Sequence, residues 1–363
     1  MSGTHLPDAP GCYLQSIGTA VPARSFTSEQ TVAEFGAVYT EPRSQRLLRR
    51  IVRLTGIENR YLAALDFLDR NSDGPPLYVP AAELPGGPGM GVRNARFAEA
   101  AGSLVKQAIG ELAPGLLESV DALVTVSCTH ASAPGLEAAV YDQPVVCRAA
   151  HRWNLGFMGC SGGLAALRLV REMSPRGHTA LIVACELSSL HFQYSTELDQ
   201  MTANVLFADG AAATVISAEP STVRVVDCRC ATLPEAADQM IWFADDRGLR
   251  LRLSQDLPDT LAAALPGAVR AFLGDNGLAI SDVKHWLVHP GGPQILDAAG
   301  AALGLPAEAL ELSRSVLRCY GNMSSATILF ILRALLAQRP KGSCVALAFG
   351  PGLTIELALF QMR

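Results

Sequence analysis

Cys160 stands in the stretch Leu155-Gly-Phe-Met-Gly-Cys160-Ser-Gly-Gly-Leu164, with Gly156 and Gly159 before it and Gly162 and Gly163 after it. Apolar side chains follow at Leu164, Leu167, Leu169, Val170 and Met173, a spacing that predicts a helix with a buried face. The pattern predicts a tight turn that delivers a thiol to the start of that helix. Free N–H groups and the positive end of a helix dipole favour a thiolate there. Glycines let backbone and substrate come close to the sulfur. The competing reading is a buried structural cysteine beside a packing turn. Two later stretches supply partners. His289 ends the strand-like Val283-Lys-His-Trp-Leu-Val-His289 and opens Pro-Gly-Gly-Pro293, and Asn322 lies in Tyr320-Gly-Asn-Met-Ser-Ser325 ahead of an apolar helix. A thiol, an imidazole and a carboxamide, each at the end of an element, fit a nucleophile with two hydrogen-bond partners.

The elements that must hold these groups alternate between strand and helix patterns. Continuous apolar runs at 122–128 and 180–186 read as buried strands, and 13–22 reads as a strand and turn. Further strands are predicted at 223–226, 248–253, 281–289, 345–350 and 353–360. Ser28 is expected to cap a helix starting near Glu29, and helices are predicted over 43–53, 94–112 and 329–336. Residues 71–88, rich in Gly, Pro, Asp and Asn, read as a surface loop. The helix at 43–53 carries Arg43, Arg46, Arg49, Arg50 and Arg53, which is either an anion-binding face or a solvated one.

Five stretches in order carry a family resemblance: Gly159-Cys160, Leu206-Phe-Ala-Asp-Gly-Ala-Ala-Ala213, His289-Pro-Gly-Gly-Pro293, Tyr320-Gly-Asn-Met-Ser-Ser325 and Phe349-Gly-Pro-Gly-Leu-Thr-Ile-Glu356. With them the sequence resembles the type III polyketide synthases, the chalcone-synthase-like branch of the thiolase superfamily, from residue 10 to the end. The resemblance implies an α/β fold, the five-layered αβαβα thiolase-like arrangement of two similar halves. Residues 1–220 would form the half carrying the nucleophile, and 221–363 the half carrying the histidine and asparagine. It implies an acyltransferase that loads an acyl-CoA starter on Cys160 and extends it by decarboxylative Claisen condensation with malonyl-CoA. His289 and Asn322 would bind the thioester oxygen, and no metal or bound cofactor is required. Phe207 maps to the aromatic gatekeeper between tunnel and cavity. Ser188, His191, Leu251, Trp242 and Ser324 map to cavity positions, and Gly350-Pro351 to the turn that shapes the cyclisation cavity. His191 is equally readable as a hydrogen-bonded core histidine. Ala133 falls where the family sends a residue into the cavity of a homodimer partner. Arg46, Arg49, Arg50 and Arg53 are the candidates for the coenzyme A entrance, although Leu47 and Leu54 replace basic residues expected there.

Composition agrees with an enzyme. The chain has 363 residues, 49% hydrophobic and 17% charged, enough for a large core and unlike a disordered chain. A net charge of -5 gives no reason to expect nucleic acid or a membrane as a partner. Nine cysteines at unrelated spacings suggest reduced thiols in a cytoplasmic protein rather than a disulfide or zinc framework. The stretch from Met240 to Pro258, together with Leu251 and Ala133, points to an aliphatic starter, whereas His191 and Trp242 point to a small cavity and few extensions. A pyrone or an aromatic, alkylpyrone- or resorcinol-like ring is the expected product. Two alternatives remain at this stage: a ketoacyl-synthase-like enzyme fed by an acyl carrier protein, and a non-catalytic partner subunit.

Overall fold

The computed structural model describes residues 11–64, 77–79, 84, 86–141, 151–174 and 177–363, so parts of the 71–88 loop lie outside the described residues. In chain order the strands are β1 (Tyr13–Ala20), β2 (Ser25–Thr27), β3 (Asn59–Tyr61), β4 (Ala122–Ser127), β5 (His151–Gly156), β6 (Ala180–Leu187), β7 (Asp209–Ser217), β8 (Val223–Thr232), β9 (Met240–Asp245), β10 (Gly248–Leu253), β11 (His285–Val288), β12 (Gly342–Gly350) and β13 (Thr354–Met362). The helices are α1 (Ser28–Gly36), α2 (Pro42–Thr55), α3 (Met90–Gly110), α4 (Gly162–Met173), α5 (Leu198–Leu206), α6 (Leu257–Asp275), α7 (Pro293–Leu303), α8 (Glu311–Tyr320) and α9 (Thr327–Leu336).

Nine strands form one mixed sheet in the order β11-β12-β13-β8-β1-β7-β6-β4-β5. Its two sides repeat one pattern. β4 pairs parallel with β6, β6 antiparallel with β7, and β7 antiparallel with β1. β11 pairs parallel with β12, β12 antiparallel with β13, and β13 antiparallel with β8. The two sets meet where Tyr13 and Leu14 of β1 face Arg224 and Val223 of β8. Helices α4 and α9 pack on each other and on strands of both sets. Helix α3 covers the outer side of β1, β6 and β7, and α6 and α7 share a core with the outer faces of β12 and β13. The result is the five-layered αβαβα arrangement, with the repeat visible in the pairing.

Strand β12 shows how sequence sets the layers. Cys344, Ala346 and Ala348 belong to the core containing α4 and α9, whereas Val345, Leu347 and Phe349 belong to the core with α6 and α7. Side chains alternate across a strand, so small residues face the crowded centre and large ones the outer helices. Each large side chain buried this way contributes about 1.5–3 kcal/mol. Glycine sets the closest contact: a Cβ on Gly163 would strike the backbone oxygen of Ser325 and lie 3.1 Å from Ile328 Cγ2, so α4 starts directly against the turn that opens α9.

Three boundaries differ from expectation. Thr27, not Ser28, caps α1: its hydroxyl accepts from the Gln30 N–H at 3.2 Å and the Gln30 side chain returns to the Thr27 N–H at 2.9 Å. The Ser28 hydroxyl is taken by the Ile57 carbonyl. The 281–289 strand shortens to β11, because Ile280–Asp282 closes a 3-10 turn first. Helix α3 begins earlier, at Met90, after Gly89.

Candidate active site

Cys160 lies in the 3-10 turn Gly159–Ser161 that leads into α4. His289 follows β11, its N–H bonded to the Leu347 carbonyl of β12 at 2.8 Å. Asn322 follows α8, and its backbone bridges to Leu206 and Ala208 at 3.0 and 2.8 Å, beside Phe207. The Asn322 carboxamide lies beside the thiol: Sγ of Cys160 is 3.9 Å from both Oδ1 and Nδ2. Oδ1 accepts the Ser324 N–H at 2.8 Å, which fixes the amide with its NH2 group free to donate towards the sulfur. Ser324 adopts φ 48°, an uncommon conformation for a non-glycine residue, and its side chain also bonds the thiol.

Electrostatics at the thiol differ from the expectation. Cys160 keeps some exposure, yet protein atoms surround its sulfur, and burial pushes the thiol up to about 12. Hydrogen bonds from Ser324 and Asn322 pull it down, while the nearby Glu186 carboxylate pushes it further up. Desolvation therefore outweighs the helix terminus, and the resting group is a neutral thiol. His289 is fully buried and its imidazole is lowered to about 3 by burial. Among the described residues neither of its ring nitrogens has a hydrogen-bond partner. A neutral imidazole thus stands with both nitrogens uncommitted among the described residues.

The Gly350-Pro351 turn packs against the Cys160 turn. A Cβ on Gly350 would collide with Ser161 Oγ and lie 2.7 Å from the Met158 oxygen, and one on Gly159 would lie 2.5 Å from Pro351 Cδ. The turn therefore closes directly over the Cys160 turn.

A cavity of about 30 Å³ lies beside the site, lined among others by Ser188, His191, Phe207, Trp242 and Leu251. Cys160, His289 and Asn322 do not line it. The rings of Phe207 and Trp242 face each other with centroids 6.1 Å apart, and the Trp242 indole N–H donates to the Cys128 carbonyl at 2.9 Å. Ala133 is exposed, next to the cis Ala133–Pro134 bond, and does not line the cavity. His191 reaches the cavity, but both of its nitrogens serve the backbone: Nε2 donates to the Thr129 carbonyl at 2.9 Å and Nδ1 accepts from the Leu249 N–H at 3.0 Å. Burial lowers it to about 3, so it is a neutral clamp on β10 with no polar atom left for a ligand. Arg46, Arg49, Arg50 and Arg53 project from the exposed face of α2, away from the buried Leu48, Ile51, Val52 and Thr55.

Two residues were missed in the sequence. Glu186, fully buried at the end of β6, accepts from the Cys128 N–H and the Thr129 hydroxyl, both at 2.9 Å, and from the Ser325 hydroxyl. It ties β4, β6 and the Asn322 loop together, and an acid at the end of an otherwise apolar strand was the available signal. Arg60, buried, donates to the carbonyls of Asn204 and Phe207 at 2.7 and 2.8 Å and buttresses Phe207.

Comparisons with known proteins agree with this geometry. The family of chalcone and stilbene synthases, C-terminal domain, matches residues 225–362, and FAE1/Type III polyketide synthase-like protein matches 78–233. A 1,3,6,8-tetrahydroxynaphthalene synthase from Streptomyces peucetius subsp. caesius is 31% identical, over 97% of this chain and 93% of its own. The alpha-pyrone synthesis polyketide synthase-like Pks18 of Mycobacterium tuberculosis is 29% identical over 98% of this chain and 93% of its own. The crystal structure of PKS-I from the brown alga Ectocarpus siliculosus superposes with a TM-score of 0.88 at 28% identity, covering 97% of this chain and 98% of that one. The chain belongs to the type III polyketide synthases, condensing enzymes of the acyltransferase class with a thiolase-like fold.

Proposed function

We propose that Cys160, His289 and Asn322 carry out the condensation on coenzyme A thioesters, with a short aliphatic acyl-CoA as starter and malonyl-CoA as extender. The observation that carries this reading is the fixed Asn322 amide N–H beside the thiol, and the buried His289 imidazole with two uncommitted nitrogens supports it. As Cys160 attacks the starter carbonyl, its proton passes to His289, the C–S bond to coenzyme A breaks, and the coenzyme thiolate recovers that proton. Malonyl-CoA then loses carbon dioxide, and the electron pair of the broken C–C bond becomes a thioester enolate. The N–H groups of neutral His289 and of Asn322 bind its oxygen. The enolate carbon attacks the acyl-cysteine carbonyl, expels the thiolate, and leaves a chain two carbons longer on coenzyme A, which returns to Cys160 for the next round.

The size of the cavity supports few extensions. About 30 Å³ is room for a water or so, in a cavity that Trp242 and Phe207 help to line. We infer release as a pyrone: an enol oxygen of the short chain attacks its own thioester carbonyl and expels the thiol, which needs no further protein group. Ring closure to an aromatic product is the other reading, favoured by the naphthalene-forming relative. The test is incubation with labelled malonyl-CoA and starters from acetyl- to stearoyl-CoA, with benzoyl- and coumaroyl-CoA, read by mass spectrometry. Products formed by wild type and not by Cys160→Ala establish the synthase, the starter and the ring. Silence of both proteins across the panel refutes the coenzyme A reading.

A further inference from the structure

Strand β3 is the short run Asn59-Arg60-Tyr61, with Arg60 opposite Phe26 of β2. Arg60 is buried, although an arginine is rarely taken out of water without a carboxylate on its guanidinium. Among the described residues it makes no direct ion pair. Its charge is answered at longer range by the buried Asp209, whose carboxylate accepts the Ala63 N–H at 2.6 Å and the Ser189 N–H at 2.8 Å. The guanidinium serves the backbone instead. One of its terminal nitrogens donates to the carbonyls of Asn204 and Phe207 at 2.7 and 2.8 Å, and the other donates to the Thr31 hydroxyl at 3.3 Å.

Those two carbonyls belong to the end of α5, where the last turn has no further helical N–H to bind. A cation there also suits the helix dipole. Between them the Leu206 carbonyl accepts the Asn322 N–H at 3.0 Å, and the Ala208 N–H donates to the Asn322 carbonyl at 2.8 Å. The stem of Arg60 touches this second segment. A Cβ on Gly321, which has φ 74°, would lie 3.0 and 3.2 Å from Arg60 Cγ and Cδ, so the turn before Asn322 rests on the arginine's methylenes. The guanidinium carbon also lies 5.3 Å from the centroid of the Phe35 ring, and Phe35, Asn204 and Phe207 all line the cavity. One side chain thus meets the cavity wall and the turn that presents the Asn322 amide. Lysine offers a point charge in place of the fork, and methionine offers no charge at all.

We propose that Arg60 is a positioning residue for the condensation, holding the Phe207 ring and the Asn322 amide in one fixed register. It rests on the enolate-binding role given to Asn322 above. A donor displaced by about 1 Å costs on the order of 10²-fold in rate. Here the same displacement also moves a wall of the cavity, so rate and starter preference change together.

The experiment uses the full chain as Arg60→Lys, which keeps the charge opposite Asp209, and as Arg60→Met, which keeps only the stem. Asn322→Ala and the double variant Arg60→Lys/Asn322→Ala complete a cycle. Carbon dioxide release from malonyl-CoA gives kcat and KM, and competition between acetyl- and octanoyl-CoA gives starter preference. Circular dichroism and thermal unfolding follow the fold. In Arg60→Lys the decarboxylation kcat should fall about tenfold with KM within about threefold, and in Arg60→Met about 10²-fold. Starter preference should shift about threefold or more in both. In the Asn322→Ala background, Arg60→Lys should change decarboxylation less than about twofold, because the group it positions is gone. A merely supporting role lowers the melting temperature and leaves kcat and starter preference unchanged below it, and that result overturns the proposal. Equal losses in both backgrounds overturn it too, since Arg60 would then not act through Asn322. So does failure of Arg60→Lys to fold, which would make the arginine a requirement of the core alone. If Asn322→Ala decarboxylates at the wild-type rate, the enolate-binding role falls and the positioning role with it. A slow Asn322→Ala beside unaffected Arg60 variants removes the positioning role alone.

Discussion

Trp242→Ala tests whether the indole sets product length. The ring lies opposite Phe207 and its N–H is held by the Cys128 carbonyl, beside a cavity of about 30 Å³. Truncation removes about nine heavy atoms from a closely packed wall, and each malonyl-derived unit adds about three, so the vacated space admits roughly one to three further units. The cost has two parts. A large-to-small change of an aromatic residue costs about 3 kcal/mol at a partly buried site. The Cys128 carbonyl also loses its indole partner, which costs about 1 kcal/mol more unless water enters. The assay is mass spectrometry of products from one starter, with thermal unfolding alongside. The variant should melt several degrees lower and shift the distribution to longer chains. Trp242→Phe, which keeps most of the ring but not the N–H, should shift it less. A folded, active Trp242→Ala enzyme with an unchanged product would refute the reasoning, because the wall limiting the chain would then lie elsewhere.

Other outcomes follow from the same geometry. Asn322→Ala and His289→Ala should each lower malonyl-CoA decarboxylation about 10²–10³-fold while the protein stays folded, as judged by carbon dioxide release and circular dichroism. Alkylation of Cys160 by iodoacetamide should accelerate steadily from pH 7 to pH 10 without a plateau, because the thiol is pushed up to about 12; a plateau near neutrality would reveal a thiolate–imidazolium pair. Burial raises Glu186 from 4.5 to about 7, so its stabilising contribution is complete below about 4.5 and is lost as pH rises through about 7. That amounts to something on the order of 3 kcal/mol. The melting temperature of Glu186→Gln relative to wild type should therefore move in the variant's favour from pH 4.5 to pH 8. Gly350→Ala places a Cβ against Ser161 Oγ and the Met158 oxygen, and should cost about 1–3 kcal/mol in a denaturant titration and slow acylation of Cys160.

What could be read in the sequence was local. Cys160, His289 and Asn322 could be singled out as candidates because each follows an element end in a glycine-rich signature, and such turns need particular residue types. Strand β12 was legible as a buried strand, but not which of its faces met the central helices, since that depends on partners far along the chain. The balance of charge at Cys160 was not legible for a related reason: the helix terminus is a sequence feature, whereas desolvation, which pushes the thiol up, is a property of the assembled core. His191 was left open between two readings because only the fold shows that both of its nitrogens serve backbone groups, at Thr129 and Leu249. The repeat was invisible because the two halves share a hydrogen-bonding pattern, not residues.

That repeat has a consequence for how such a site can arise. Cys160 stands in the turn before α4 and Asn322 in the turn before α9, and these helices occupy corresponding places ahead of β6 and β12. Two identical polypeptides related by a two-fold axis would carry the same side chain in both turns, so a nucleophile on one side would always face another nucleophile. Joining the copies in one chain removes that constraint. Each turn can then mutate alone, one towards attacking carbon and the other towards holding oxygen, which no symmetric pair of identical chains can do at a shared axis.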